Sequence, residues 1–151
     1  MNIKSGAGYP ASALSNFAPH SFTLDGVECA SMEGFLQSLK FKNPEMQREV
    51  CKLVGKVAKA RGAKKNWQRT QTLYWQGVPI QRASDGYQTL LDDAYAALAQ
   101  NEKFKRALLA TGKATLTHSI GRKKQSETVL TVQEFCSRLT DIRDFLQGVE
   151  S

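Results

Sequence analysis

The chain has 151 residues, of which 41% are hydrophobic and 23% charged, with a formal net charge of +7 at pH 7. These proportions support a buried core and exclude a disordered polymer; no apolar run reaches the length of a membrane span. One domain, residues 1–151, is expected, and the opening Met1-Asn2-Ile3-Lys4-Ser5-Gly6 lacks the hydrophobic segment of a secretory leader.

The charge is concentrated. Between Val50 and Ser84 lie Lys52, Lys56, Lys59, Arg61, Lys64, Lys65, Arg69 and Arg82 with no acid, so the rest of the chain is close to neutral. With Trp67, Tyr74 and Trp75 interleaved, the block suits a polyanion, either nucleic acid or a diphosphate ligand. A solvated face on a small basic protein explains it equally well. Cys29, Cys51 and Cys136 are odd in number and form no C-x-x-C pair, which points to reduced, buried thiols and a cytoplasmic location. With only His20 and His118 available, ligand spacing for zinc is absent, and neither a metal nor a cofactor is expected.

In chain order, residues 1–14 read as a loose extended segment, and Leu14-Ser15-Asn16-Phe17-Ala18-Pro19 as a turn. Phe22-Thr23-Leu24 and Val27-Glu28-Cys29 flank Asp25-Gly26, a strong hairpin signal. Ser31 is an N-cap for a helix through Phe41, because Met32, Phe35, Leu36 and Leu39 recur at i, i+3, i+4, i+7. Glu33, Gln37 and Lys40 recur at the same spacing in a second stripe, a carboxylate, an amide and an ammonium beside an apolar wall. Gly34 flanks that stripe and leaves room for close approach. Glu33 has a plainer account as a first-turn acid facing the helix dipole.

Pro44 opens the next helix, with Val50, Leu53, Val54 and Val57 on its apolar face, the lysines opposite and Gly62 as terminator. Tyr74 to Pro79 reads as a break. Tyr87, Leu90, Leu91, Ala94, Tyr95 and Leu98 form an amphipathic helix, and Asn101 caps another that ends near Gly112. Thr115–Ile120 alternates like a short strand before the basic turn Gly121-Arg122-Lys123-Lys124. Thr131-Val132-Gln133-Glu134 is a capping box for the last helix, whose expected core face is Phe135, Leu139, Ile142, Phe145 and Leu146, with Gly148 past its end. The expected class is α+β, a helix-rich domain with a small β-hairpin component.

No phosphate-binding glycine loop, zinc-protease motif or nucleophile elbow is present. The ordered set is more informative: Leu14-Ser15-Asn16-Phe17, the Asp-Gly hairpin, Ser-Met-Glu-x-x-x-Gln-x-x-Lys-Phe from Ser31, Ala60-Arg61-Gly62, Lys65-Asn66-Trp67, and Leu108-Leu109-Ala110-Thr111. Together these resemble the NADAR family of YbiA-like domains, over roughly residues 14 to 120. Members of that family are N-glycoside hydrolases. Some cleave a ribosylamine intermediate of riboflavin synthesis, and others remove ADP-ribose from the guanine amino group in DNA, reversing DNA-modifying toxins.

The resemblance implies roles. Glu33 would stabilise the positive charge that develops at C1′ and position water; Lys40 would either attack a ring-opened imine or neutralise a phosphate. Asn16 and Gln37 would hydrogen-bond ribose hydroxyls or a base edge, and Phe17 and Trp67 would stack on a base, although both aromatics also suit a core. Arg61, Gly62 and Thr111 match family positions near the site, and a helix-end hydroxyl explains Thr111 as well. Many members carry an acidic stretch, a Trp-Gly and a Gly-rich loop with Asn where this chain has Thr117-His118-Ser119-Ile120-Gly121-Arg122-Lys123-Lys124. His118 and the Gly121 turn would substitute for them, and a buried, satisfied imidazole is the plainer reading of His118. The partner implied is ADP-ribosylated guanine in DNA, favoured by the basic block, or an ADP-ribose-like small molecule. A ribosylamine phosphate and a non-catalytic ADP-ribose or nucleic-acid binder are the competing substrate and function.

Overall fold

The computed structural model describes residues 1–150, and among these no helix is long and apolar enough to cross a membrane. The class is α+β: helices surround two separate two-stranded antiparallel hairpins. The first hairpin pairs β1 (Phe22–Leu24) with β2 (Val27–Cys29), Leu24 opposite Val27. Asp25 and Gly26 both take positive φ, 49° and 78°, which matches the turn to the strand twist. The chain then enters α2 (Met32–Ser38) through Ser31, whose hydroxyl accepts from Gly34 N. Met32, Phe35, Leu36 and Leu39 are all buried in the main apolar cluster.

The single helix expected after Pro44 is two. A short α1 (Ala11–Leu14) precedes the first hairpin; after α2 come α3 (Pro44–Cys51), capped by Asn43, and α4 (Gly55–Ala63). The chain leaves helical geometry at Lys52–Val54 because carbonyls there have better partners on the start of α2. Ser31 Oγ donates to Leu53 O at 2.9 Å and Ala30 N to Cys51 O at 2.8 Å. Gly34 serves this same contact, since an added Cβ would lie 2.4 Å from Leu53 O. The break turns Val54 and Val57 outward, 38% and 63% exposed, rather than into the core.

The stretch read as a break is a second hairpin, β3 (Thr72–Trp75) with β4 (Val78–Gln81), closed by Gln76 and Gly77 at positive φ. Pro79 is tolerated because it faces Tyr74, whose own N–H points away and donates to Leu39 O at 2.8 Å. Trp75 Nε1 donates to Asp25 Oδ2 at 2.8 Å, tying the two hairpin turns together.

Helix α5 (Asp85–Leu98) buries all six residues of its expected stripe, and α6 (Glu102–Ala110) follows its Asn101 cap. The expected strand at Thr115–Ile120 is only a parallel bridge, Asn2 with Thr117, so the N-terminal segment is anchored and Ile3 fully buried. A single 3-10 turn, Gln125–Glu127, leads to α7 (Val132–Glu150), opened by the capping box: Glu134 N donates to Thr131 Oγ1 and Thr131 N to Glu134 Oε1. That helix runs past Gly148, and Phe145 is 70% exposed rather than core, being off the stripe set by Phe135, Leu139 and Ile142.

Arg82 departs from the expected basic surface. It is fully buried, gripping Glu134 through both guanidinium nitrogens at 2.6 and 3.0 Å and donating from Nε to Thr128 O at 2.8 Å. Its guanidinium carbon lies 4.7 Å from the Tyr87 ring centre. Arg82 thereby fixes the segment from Thr128 to Glu134 against the body of the protein.

Candidate functional site

One cleft of about 280 Å³ collects Asn16, Glu33, Gln37, Lys40, Trp67, His118 and Gly121 from four segments far apart in sequence. Helix α2 presents Glu33 and Gln37 one turn apart, and Gln37 Nε2 donates to Glu33 Oε2 at 2.6 Å. Lys40 lies two residues past the helix end, in a turn where its N–H reaches Gln37 O at 3.2 Å. Leaving the helix does not remove it from the stripe.

The two charges face one cleft without forming an ion pair. Burial pushes the Glu33 carboxyl above its ordinary value, an effect that the Gln37 hydrogen bond, Lys59 and Lys40 offset only in part. Burial likewise pulls the Lys40 ammonium down; Glu33 opposes this and Lys59 reinforces it. Each group is thus held closer to neutrality than it would be in water, the condition for exchanging protons or bonding to a substrate near neutral pH.

Asn16 is pinned on both sides. Its carbonyl accepts from Glu33 N at 3.0 Å and its Oδ1 from Tyr95 OH at 2.9 Å, leaving the side-chain amide as donor. His118 Nδ1 is 2.6 Å from Ile3 O; a carbonyl only accepts, so the neutral ring carries its hydrogen there and its lone pair on Nε2. The imidazole meets the Phe135 ring edge-on at 5.2 Å. Gly121 makes this possible, since a Cβ would come within 2.5 Å of His118 Cδ2. Trp67, 4% exposed, belongs to the core and the cleft wall at once.

Four expected site residues are elsewhere. Phe17 packs towards Gly55, 3.8 Å from the position a Cβ would take there. Arg61 extends over α3, with Nη2 2.7 Å from Met46 Sδ and its guanidinium carbon 5.8 Å from the Phe41 ring centre. Thr111 is buried in a helix-end network, donating to Leu108 O at 2.7 Å and accepting from Arg143 Nη1 at 2.8 Å. Gly62 does not line the cleft but lets α4 close on α2: its absent Cβ would sit 1.9 Å from Gln37 Oε1.

Conversely, Lys59, Gln68, Arg122, Glu127 and Phe135 line the cleft and were not singled out as site residues from the sequence. Lys59 carried a signal only as part of the basic block; that α4 turns it towards Glu33 depends on the break before α4. Arg122 pairs with Glu127 at 3.6 Å at the exposed rim. Cys29 and Cys51, distant in sequence, are neighbours in the core, and all three cysteines are free.

The fold is similar to that of the Escherichia coli protein YbiA, solved by NMR: TM-score 0.63 at 20% identity, covering 99% of this chain and 86% of that one. An enterobacteria phage T4 protein, described as an uncharacterized 17.1 kDa protein in the Gp30-rIII intergenic region, is 40% identical over 97% of this chain and 98% of its own length. The model of the family described as bacteriophage protein GP30.3 matches residues 8–144. With nearly the whole chain matched and the fold YbiA-like, the protein belongs to the bacteriophage GP30.3 family.

Proposed function

We propose that the protein is an N-glycosidase that hydrolyses an N-ribosyl bond, removing ADP-ribose from the guanine amino group of modified DNA. The observation that carries this reading is the shared cleft in which burial holds Glu33 up and Lys40 down while Gln37 orients the carboxylate.

The chemistry follows from those two groups. A ribosyl group on an exocyclic amine opens to an imine at C1′, the ring oxygen taking up a proton. Neutral Lys40 adds through Nζ to C1′, giving a carbon that bears two nitrogens. Proton transfer from the Lys40 nitrogen to the guanine nitrogen, relayed by His118 through Nε2, lets the guanine amine leave and forms an imine to Lys40. Glu33 then takes a proton from water as it adds to C1′; expulsion of Lys40 releases the free sugar aldehyde and regenerates the amine. The balance is one water consumed. Trp67 and Phe135 wall the cleft against bulk water, which strengthens each electrostatic term.

The size of the cleft favours a second substrate. About 280 Å³ is at the small end for ligand sites, commonly about 300–1,000 Å³, and suits a ribosylamine phosphate. Release of ADP-ribose from a modified oligonucleotide and turnover of a ribosylamine phosphate are measured side by side for the native protein, Glu33→Gln and Lys40→Arg. Borohydride should trap the sugar on Lys40 of the native protein, detected by mass spectrometry. Cleavage of only the small molecule selects the second substrate, and binding without cleavage of either refutes the enzyme reading. A Lys40→Arg protein with full turnover refutes the imine.

A further inference from the structure

The cleft does not end at Lys40. A second depression, about 500 Å³, shares Lys40, Gln68, Arg122 and Glu127 with it and continues to Lys64, Lys65 and Asn66. A third, about 690 Å³, takes over at Lys64 and Lys65 and runs along α4 past Arg61, Ala60 and Val57 to Lys56. Shared residues set these depressions side by side, a trough leading out of the cleft.

Cations outnumber acids along it, and Glu127, the acid at its cleft end, is already paired with Arg122. Among the described residues, Lys56, Arg61, Lys64 and Lys65 have no carboxylate within ion-pair distance, whereas Lys52 pairs with Glu49 and Arg82 with Glu134. The floor of the third depression is apolar: Phe41, Leu53, Val57 and Ala60. Lys65 Nζ lies 4.9 Å and the Arg61 guanidinium carbon 5.8 Å from the centre of the Phe41 ring, which fixes where both cations stand. Helix α4 buries only Ala58 and Gly62, and apart from the contact of Arg61 with Met46 this face is exposed.

We infer that the trough holds a single-stranded nucleic acid, its phosphates on these four cations and its bases against the apolar floor. The helix alone rises about 10 Å from Lys56 to Ala63, so the cations are spread over a length that several phosphates would occupy, whereas a lone diphosphate presents its charge at one place. A duplex buries its base faces and has no use for the apolar floor; a single strand uses both features. The inference deepens the proposed reading and rests on it for what enters the cleft, but binding is measured without that group.

Fluorescence anisotropy of the full chain with an unmodified oligothymidylate provides the test. Four phosphate contacts give a slope of about −2.8 in log affinity against log salt, so affinity falls about 50-fold between 50 and 200 mM. Lys64→Ala with Lys65→Ala should halve the slope, leaving a fall of about 7-fold over the same range. Lys64→Glu with Lys65→Glu should abolish binding while the circular dichroism and melting curve stay native. An unchanged slope in the alanine variant, tighter binding of a duplex of equal length, or binding to phosphatidylserine vesicles but not to DNA each overturns the inference. Modified oligonucleotide bound through the trough yet never cleaved defeats the proposed activity alone. Cleavage indifferent to Lys64 and Lys65, for oligonucleotide and nucleoside substrates alike, defeats the trough alone.

Discussion

Gly62→Ala tests whether the contact between α4 and α2 serves the cleft. An added Cβ would lie 1.9 Å from Gln37 Oε1, 2.8 Å from its Cδ and 3.1 Å from its Cβ. The amide can rotate, but the Gln37 Cβ is fixed to α2, so the side chain must leave its rotamer and the helices must part by a few tenths of an ångström. Gln37 then loses its 2.6 Å hydrogen bond to the Glu33 carboxylate. A bond to a charged group contributes about 1.5–3 kcal/mol, and the better helix propensity of alanine returns up to about 1 kcal/mol. The net loss is about 0.5–3 kcal/mol, a fall in Tm of about 1–12 °C for a chain of this size. The Glu33 carboxyl, stripped of a partner that lowers its pKa, should titrate still higher, as read by carbon-13 NMR of its side chain. Gln37→Ala removes the clash, so Gly62→Ala should cost less in that background, and the double-mutant cycle isolates the contact. A Gly62→Ala protein as stable as the native one, with Glu33 titrating unchanged, would refute the reasoning.

Glu33→Gln should stabilise the fold by about 0.5–2 kcal/mol near neutral pH, because the native carboxylate is charged against its burial. A raised folded pKa favours the protonated form, so the penalty grows as pH rises through the ordinary glutamate value of about 4.3, and melting curves should converge below it. Gly34→Ala meets backbone, Leu53 O at 2.4 Å with Cys51 O and Val50 O at 3.1 Å, and should lower stability by about 1–3 kcal/mol in urea unfolding despite its helix propensity. Arg82→Leu leaves Glu134 unpaired and should cost about 3–5 kcal/mol by the same measurement. Burial pushes Glu134 up, but hydrogen bonds from Arg82, Gln88 and Thr131 N outweigh it and hold the carboxyl below its ordinary value. The stability they confer is present above the unfolded pKa and lost as pH falls through the folded one, so Arg82→Leu should flatten that acid limb. His118→Ala should slow turnover about 100-fold or more if the ring relays the proton, with substrate affinity retained.

The helices with strict 3.6-residue stripes or side-chain caps were legible because the local signals agreed: α5 by its stripe from Tyr87 to Leu98, α6 from Asn101 and the last helix from the capping box at Thr131. The errors share another cause. The α3–α4 break, the second hairpin and the N-terminal bridge are decided by partners that only the tertiary fold supplies. Leu53 O finds Ser31, Tyr74 N finds Leu39 O, and Thr117 finds Asn2. Pro79 looked like a stop because the register that puts it opposite Tyr74, whose N–H is turned away to Leu39 O, is invisible in one strand alone.

The same division runs through the site. Glu33, Gln37 and Lys40 were legible because one helical repeat carries them, and the repeat survives although the helix ends at Ser38. Gly62 matched a family position as a binding residue, but its observed contact is with Gln37, one step behind the cleft. A glycine kept for helix approach and one kept for ligand approach leave the same mark in a sequence; only the neighbour that a Cβ would strike separates them. Lys59 shows the reverse. Nothing in its spacing sets it apart from Lys56, yet the turn at Lys52–Val54 rotates α4 so that Lys59 enters the cleft and Lys56 the trough. The break in the helix therefore does more than redirect the chain: it divides one run of lysines between the cleft and the trough beside it.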